Sequence, residues 1–517
     1  MKRCPTCNRV ETDRSLAFCR VDGARLRTDS DSFESSTVVL PSETTTAELP
    51  KEQVHQSPSI AVLAFVNMSA DSENEYFCDG LAEELINALT KIENLKVAAR
   101  TSAFSFKGKN VDVNEIGRAL HVSSVLEGSV RKSGNRLRIT VQLINTADGY
   151  HLWSERYDRE IQEVFDLQEE IASEICQKLR VQLTNEQRKQ LGKRHTENPE
   201  AFQAYLKGRY YWNKRTEESL KRGTEYFQQA VALDPAYALA YAVLADSFAL
   251  SGIAEYGFLS PTEAMPRAKE AAARALQLDD TLAEAQTTLA HVRAFYDWDW
   301  PNAEQDFKRA IALDPNYAFS HHWYALYLAA MKRHAEALEE ETRAQEIDPY
   351  SLIINKNVGT ILYYAGQLDR SIEQYRKALD MESEFARTHL YLGLSYTQKG
   401  KYEEGIAEYQ EALRIAGEGT VLKMLLGHAH ALAGDRREAT RLVDELKVRS
   451  EEQYVPAFCI AMIHAALGEN DLAFEWLDRA FAERSSWLVY LDVEPMLGSL
   501  RSDARFEDLA RRVGLPR

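Results

Sequence analysis

Ala310-Ile311-Ala312-Leu313-Asp314-Pro315 returns 34 residues later as Ala344-Gln345-Glu346-Ile347-Asp348-Pro349. The alanine phase continues at Ala378 and Ala412. A second small-residue phase runs through Ala325, Gly359, Gly393, Gly427 and Ala461. Large aromatics precede three of the alanines by three residues: Phe307, Tyr375 and Tyr409. Small residues suit the places where two helices touch, and an aromatic fills the gap they leave. Asp-Pro ends the second helix of a pair, because the residue before proline is driven out of the α region. A fixed period of this length marks a solenoid of stacked helix pairs.

Outward from this stretch the pattern loosens. The period is strict from about Ala318 to Gln453. The first repeat is degenerate, opened by Tyr205, Gly208 and Tyr211 and closed by Phe227, Ala230, Asp234 and Pro235. About Gly252 to Pro266 is an insertion, expected as a surface loop. Ser485 to Gly514 departs from the repeat, as a terminal cap must. The array spans 199–517, about eight repeats with a C-terminal cap.

Period and phase together resemble the tetratricopeptide repeat (TPR) family. That resemblance implies a right-handed superhelix whose inner groove, lined by the first helix of each pair, binds a partner peptide or protein. The phase puts His322, Lys356, Thr360, Tyr363, Arg387, Leu390 and Gln398 on the inner side, with Phe319, Leu326, Ile353 and Leu394. Such a mixture of apolar and polar groups suits a peptide with apolar anchors. Packing between repeats is the alternative role for each. Lys356, Arg387 and Gln398 are expected to be exposed in the groove. His322, Leu326 and Tyr391 stand where chaperone-binding relatives carry a carboxylate clamp of lysine, asparagine and arginine, so a C-terminal-carboxylate ligand is not expected.

Residues 59–192 read as an α+β domain. Ile60 to Val66 is a continuous apolar run, expected as one buried strand. Leu81, Leu85, Leu89 and Ile92 follow at helical spacing. Leu95 to Ala99 is a second strand, and Val113, Ile116 and Leu120 mark a second helix. Then Leu137, Ile139, Val141 and Leu143 alternate with Arg136, Arg138, Thr140 and Gln142, as in a half-buried sheet. Tyr150 to Tyr157 is the last strand, and Val164, Leu167, Ile171, Ile175 and Leu179 mark a long helix. Phe104 and Phe106 beside Lys107 are candidates to line a small-molecule cleft. The runs Glu75-Tyr76-Phe77-Cys78-Asp79-Gly80-Leu81, Leu126-Glu127-Gly128-Ser129-Val130-Arg131 and Leu152-Trp153-Ser154-Glu155-Arg156-Tyr157 resemble the TolB amino-terminal-like domain, over about Ser59 to Leu183. In that family the domain precedes TPR arrays of bacterial signalling proteins, and no catalytic residues carry over from it.

Residues 1–27 hold Cys4-x2-Cys7 and then Cys19 and Asp22 at the same internal spacing. Two close pairs can put four side chains around one tetrahedral ion, so Cys4, Cys7, Cys19 and Asp22 are candidate Zn2+ ligands. A ribbon that has lost its metal and a redox dithiol are the alternatives. The segment resembles a small zinc ribbon in which an aspartate replaces the fourth cysteine. Residues 28–58, rich in Ser, Thr, Glu and Pro, read as a disordered linker.

The chain is 517 residues long, 45% hydrophobic, with a net charge of −17. That balance argues against wholesale nucleic-acid binding. No run approaches the ~20 apolar residues of a membrane span. Six cysteines are no disulfide framework in a chain of this size, so a reducing cytoplasm is expected. Phosphate-cradle, kinase, nucleophile-elbow and zinc-protease motifs are missing. The expected class is mainly α, an α-solenoid preceded by a small α+β domain and a zinc-ribbon-like knuckle. The expected role is a non-enzymatic scaffold or adaptor in bacterial signalling. Its alternatives are a transcription-linked regulator touching nucleic acid through the basic ribbon, and a small-ligand sensor built on the α/β domain.

Overall fold

The computed structural model describes residues 58–515, apart from Ala254, Tyr256 and Gly257, together with three short strands near the N-terminus. Of Gln190 it describes the backbone alone. The chain divides into two units, Met1–Gln56 and Ser57–Arg517. In the first, β1 (Lys2–Arg3) pairs antiparallel with β2 (Val10–Glu11) and with β3 (Arg27–Thr28). Cys4, Cys7, Cys19 and Asp22, the expected zinc ligands, lie outside the described residues.

The second unit opens on a six-stranded sheet. β4 (Ser59–Val62) is wholly buried and runs parallel between β6 (Lys96–Val97) and β7 (Ser124–Ser133). β7, β8 (Arg136–Asn145) and β9 (His151–Glu160) form an antiparallel meander. The single strand expected over Ile60 to Val66 is two. Val62 faces Leu126 and Val66 faces Ser129, so four steps along one strand oppose three along the other. Phe65 turns inward over Gly128, where a Cβ would stand 2.6 Å from its ring. The short β5 (Val66–Asn67) then resumes the pairing with β7.

β8 alternates as its sequence requires. Leu137, Ile139, Val141 and Leu143 are buried, whereas Arg136 and Arg138 are exposed. The buried face meets α1 (Glu75–Thr90) and α4 (Val164–Lys178) through Phe77, Leu81, Leu167 and Ile171. Ala61 and Val125 face the other way, onto Ile116 and Leu120 of α3 (Val113–Leu120). The helix α2 (Arg100–Phe104) has no counterpart among the expected elements.

After α5 (Asn185–Leu191) come eight helix pairs: α6 (Pro199–Trp212) with α7 (Glu217–Leu233), α8 (Ala238–Ser251) with α9 (Pro261–Leu278), α10 (Ala283–Val292) with α11 (Trp300–Leu313), α12 (Ala318–Ala330) with α13 (His334–Ile347), α14 (Leu352–Tyr364) with α15 (Leu368–Met381), α16 (Ala386–Gln398) with α17 (Tyr402–Ala416), α18 (Thr420–Leu432) with α19 (Arg436–Glu452), and α20 (Ala457–Ala466) with α21 (Asn470–Ala482). The 3-10 turns Ser486–Tyr490 and Pro495–Leu500 and helix α22 (Ala504–Val513) close the chain.

Two backbone constraints set the period. Asp234, Asp279, Asp314 and Asp348 each end the second helix of a pair in a non-helical conformation. Between the helices of a pair, a left-handed residue recurs every 34 positions: Trp298, Lys332, Gly366, Gly400, Gly434 and Gly468. Glycine adopts that conformation without the penalty a Cβ brings. In the α14–α15 and α16–α17 pairs a ring covers a glycine. A Cβ on Gly359 would stand 2.5 Å from Tyr375, and one on Gly393 would stand 2.6 Å from Tyr409.

The insertion is not the expected surface loop. Helix α9 begins at Pro261, and Glu255 reaches the inner face of the array. The α/β domain packs directly on the repeats. Glu83 of α1 is 3% exposed and meets Arg100 at 2.7 Å together with Arg209 of α6. The Ser102 hydroxyl donates to Asp348 at 2.6 Å and accepts the Tyr350 amide at 3.0 Å. Phe106 therefore lies against Tyr350, with ring centroids 5.9 Å apart, and Lys107 donates to Asp79, so neither is available to an open cleft.

Two classes of substitution should separate in urea melts. Gly400→Ala meets no neighbouring atom within 4 Å and strains the left-handed backbone alone, a loss of about 1 kcal/mol. Gly359→Val drives side-chain atoms into the Tyr375 ring, a loss of about 2–3 kcal/mol. Equal losses would mean that ring packing does not fix the helix approach. Glu83→Ala strands two part-buried guanidinium groups and should cost about 3 kcal/mol by the same measurement.

Candidate functional site

The first helices of successive pairs face inward. Near the middle of the array they surround a cavity of about 100 Å³. Its wall is aromatic, from Phe295, Phe319, Trp323, Tyr364, Tyr391 and Tyr490. Its charged groups are Arg215, Asp246, Glu255, Lys356 and Arg387. The C-terminal segment helps to close it, since Tyr490 stacks on Tyr364 at 4.7 Å and 13°.

Of the expected groove residues, His322, Lys356, Thr360 and Arg387 line this cavity, with Phe319, Leu326 and Ile353. Tyr363, Leu390 and Gln398 do not. Tyr363 is buried and donates its hydroxyl to Glu494 at 2.6 Å, an acid on the returning C-terminal segment. Leu390 packs into the core of the array, and Gln398 is half-buried with no hydrogen-bond partner for its Nε2. Thr360 accepts the Tyr375 hydroxyl at 3.2 Å and so shares in packing. Lys356, expected to be exposed, is only 4% exposed, because Glu255 and Tyr391 cover it. Its ammonium stands 3.9 Å from the centre of the Tyr391 ring.

Behind Lys356 lies a buried polar chain. His322 Nδ1 is 2.9 Å from Glu341 Oε1, and Asn357 Nδ2 is 3.2 Å from His322 Nε2. With the proton on Nδ1, His322 donates to Glu341 and accepts from Asn357, so each group finds a partner. Burial raises the Glu341 carboxyl above its ordinary value, against the pull of His322. Glu341 occupies the phase that Phe307, Tyr375 and Tyr409 fill with rings. That substitution of an acid for an aromatic is the signal by which the chain could have been found from sequence. Glu255 offered none, because its segment lies outside the period.

Burial presses the Lys356 ammonium down to about 8, and Arg387 adds to the depression, while Glu255 and Glu341 oppose it. Burial works to raise the Glu255 carboxyl. Lys356, Arg387, the Tyr391 hydroxyl and His322 outweigh it and hold the acid below its ordinary value. His291 stacks on Phe295 at 4.7 Å, and burial lowers its imidazole to about 3, so it stays neutral. The arrangement can hold an anionic group against apolar walls. Among the described residues no group of three or more metal-ligating side chains is assembled.

With this geometry in view, the comparisons separate the two halves of the second unit. The tetratricopeptide repeat family model matches residues 359–419. The helix pairs form a TPR-like array. The model that matches residues 55–174 is the HilA/YgeH-like transcriptional regulator, second domain. A putative adenylate cyclase 3 of Rhizobium meliloti (strain 1021) is 38% identical over 225 residues, 43% of this chain and 38% of that protein. The transcriptional regulator HilA of Salmonella typhimurium is 26% identical over 168 residues, 32% of this chain and 30% of the regulator. The chain thus spans under two fifths of the length of these curated relatives. A Pseudomonas aeruginosa PilF structure is 20% identical, covers 41% of this chain and 91% of its own, and superposes with a TM-score of 0.32. A Thermus thermophilus TPR protein is 20% identical, covers 32% and 91%, and scores 0.30. The expectation that the chain is no enzyme is corrected by the first relative, which is named for a cyclase activity. No helix among the described residues is long and apolar enough to cross a membrane.

Lys356 should be visible in the pH dependence of stability. Its folded-state value near 8 lies below the ordinary 10.5. Between those limits the unfolded chain holds a proton that the folded chain has released, so stability rises with pH. Relative to Lys356→Met, the wild type should gain roughly 2–3 kcal/mol from pH 8 to 10.5 in urea melts. A flat difference would mean that the ammonium is not desolvated.

Proposed function

We propose that the chain is an interaction component of a bacterial signalling protein, working in the cytoplasm, and that the inner face of its repeats binds a partner peptide. The observation that carries this reading is the buried, cation-bearing chamber on the inner face, where Lys356 is held among Tyr391, Glu255 and His322 rather than released to solvent. Burying an ammonium is unfavourable unless the site that results is used or well paired. The wall around it is aromatic, which suits an apolar anchor beside a charged one. The relative named as a putative adenylate cyclase supports a signalling context. A regulator of transcription is the second reading, favoured by the HilA/YgeH-like match over residues 55–174.

Immobilised full-length chain should capture a partner from native lysate, identified by mass spectrometry. Capture should fall at least tenfold, roughly the effect of one lost charge-assisted contact, with Lys356→Met or Arg387→Met. Unchanged capture by variants that melt like the wild type would remove the groove from the account. For the second reading, anisotropy with duplex DNA should give binding that weakens steeply with salt. Salt-independent or absent binding would dismiss it.

A further inference from the structure

The cations of the chamber are met by an acid from inside the same chain. Glu255 belongs to the connection between α8 and α9, outside the 34-residue period. The groups that act on its carboxylate belong to three later repeats: His322 on α12, Lys356 on α14, and Arg387 and Tyr391 on α16. The Tyr391 hydroxyl donates to Glu255 Oε1. Ile253, two residues earlier, lines the same cavity. His291, 3% exposed, also lines it, and its Nδ1 has no hydrogen-bond partner. The chamber therefore already displays what it accepts: one carboxylate on the cations, one aliphatic side chain beside it.

We propose that this cluster is a receptor for an acidic side chain on a partner segment, with an apolar residue two positions before the acid, and that Glu255 holds it as an internal competitor. The proposal rests on the peptide-binding reading above and names the chemistry of that peptide. The spacing is that of Ile253 and Glu255, which line the cavity together. The group already seated on the cations is a carboxylate, held by the Tyr391 hydroxyl and acted on by Lys356 and Arg387, so a carboxylate is the class the cluster is built for. A competitor tethered in the same chain acts at high effective concentration, so it sets a threshold that a partner must exceed.

The test uses the full chain and the amide-capped peptide Ser-Gly-Ile-Ala-Glu-Tyr-Gly-Phe, the sequence of residues 251–258, beside its Glu-to-Gln version. The Glu peptide should bind Glu255→Ala protein at least about tenfold tighter than it binds wild type, and about tenfold tighter than the Gln peptide does. Lys356→Met in the Glu255→Ala background should erase the preference for Glu over Gln. Calorimetry measures each affinity, and a melt of each variant checks its fold. Equal affinity for the two peptides, or no binding of either to Glu255→Ala, would overturn the proposal. Equal peptides with a lysate partner still lost in Lys356→Met would remove the acid receptor and leave the groove reading. A preferred Glu peptide with no partner captured would support the receptor while the groove reading fell.

Discussion

The close approach of two helices within each pair is the contact on which the rest depends. Gly359 and Gly393 let Tyr375 and Tyr409 lie directly against the facing backbone. That approach fixes how each pair is turned relative to the next, and the small turn repeated along the array gives the solenoid its inner face. The left-handed residue between the helices keeps the connection short enough for the contact to form. From Phe307 to Leu477 this phase holds a ring or an aliphatic side chain except at Glu341, and a polar group there has to find polar partners. At Glu341 the exception is an acid, and His322 and Asn357 supply those partners.

Much of this was legible in the sequence, and for a physical reason. Repeat packing is local, so a rule about small and large residues repeats with the backbone, and the helix pairs follow from it. The β8 alternation is legible in the same way, since Leu137 to Leu143 answer to one buried face. The break at Leu63 to Phe65 was not. It depends on Gly128, which is distant in sequence and has no side chain to compete with the Phe65 ring. Of the inner-face residues, phase alone identified His322, Lys356, Thr360 and Arg387. Phase fails where the chain leaves the period: Glu255 lies in an insertion, and Tyr490 and Glu494 lie in the closing segment. Glu255 and Tyr490 join the wall of the cavity, and Glu494 takes up the Tyr363 hydroxyl. The exposure expected for Lys356 failed because Glu255 and Tyr391 cover it.

The electrostatics of the chamber are unusual in direction rather than in number. A lysine pressed toward neutrality and an acid held ionised beside it describe a site tuned by burial on one partner and by neighbours on the other. The buried His322 chain behind them fixes the orientation of polar groups that would otherwise be free to turn. Aromatic walls lower the local polarity around these groups, which strengthens charge–charge interactions inside. Site and scaffold thus share residues: Thr360 lines the chamber and also satisfies the ring that sets the helix approach.

The Ser102–Asp348 hydrogen bond joins residues 246 positions apart. A free solenoid behaves as a spring, each coil touching only its neighbours, and it can stretch or unwind from either end. Here the α/β domain grips α6 through Glu83 and the turn before α14 through Ser102, so it spans several coils as a brace spans a bellows. Stretching the coils between those two points would require the brace to let go. The first half of the array is thereby stiffened as a block, and its inner space keeps one size.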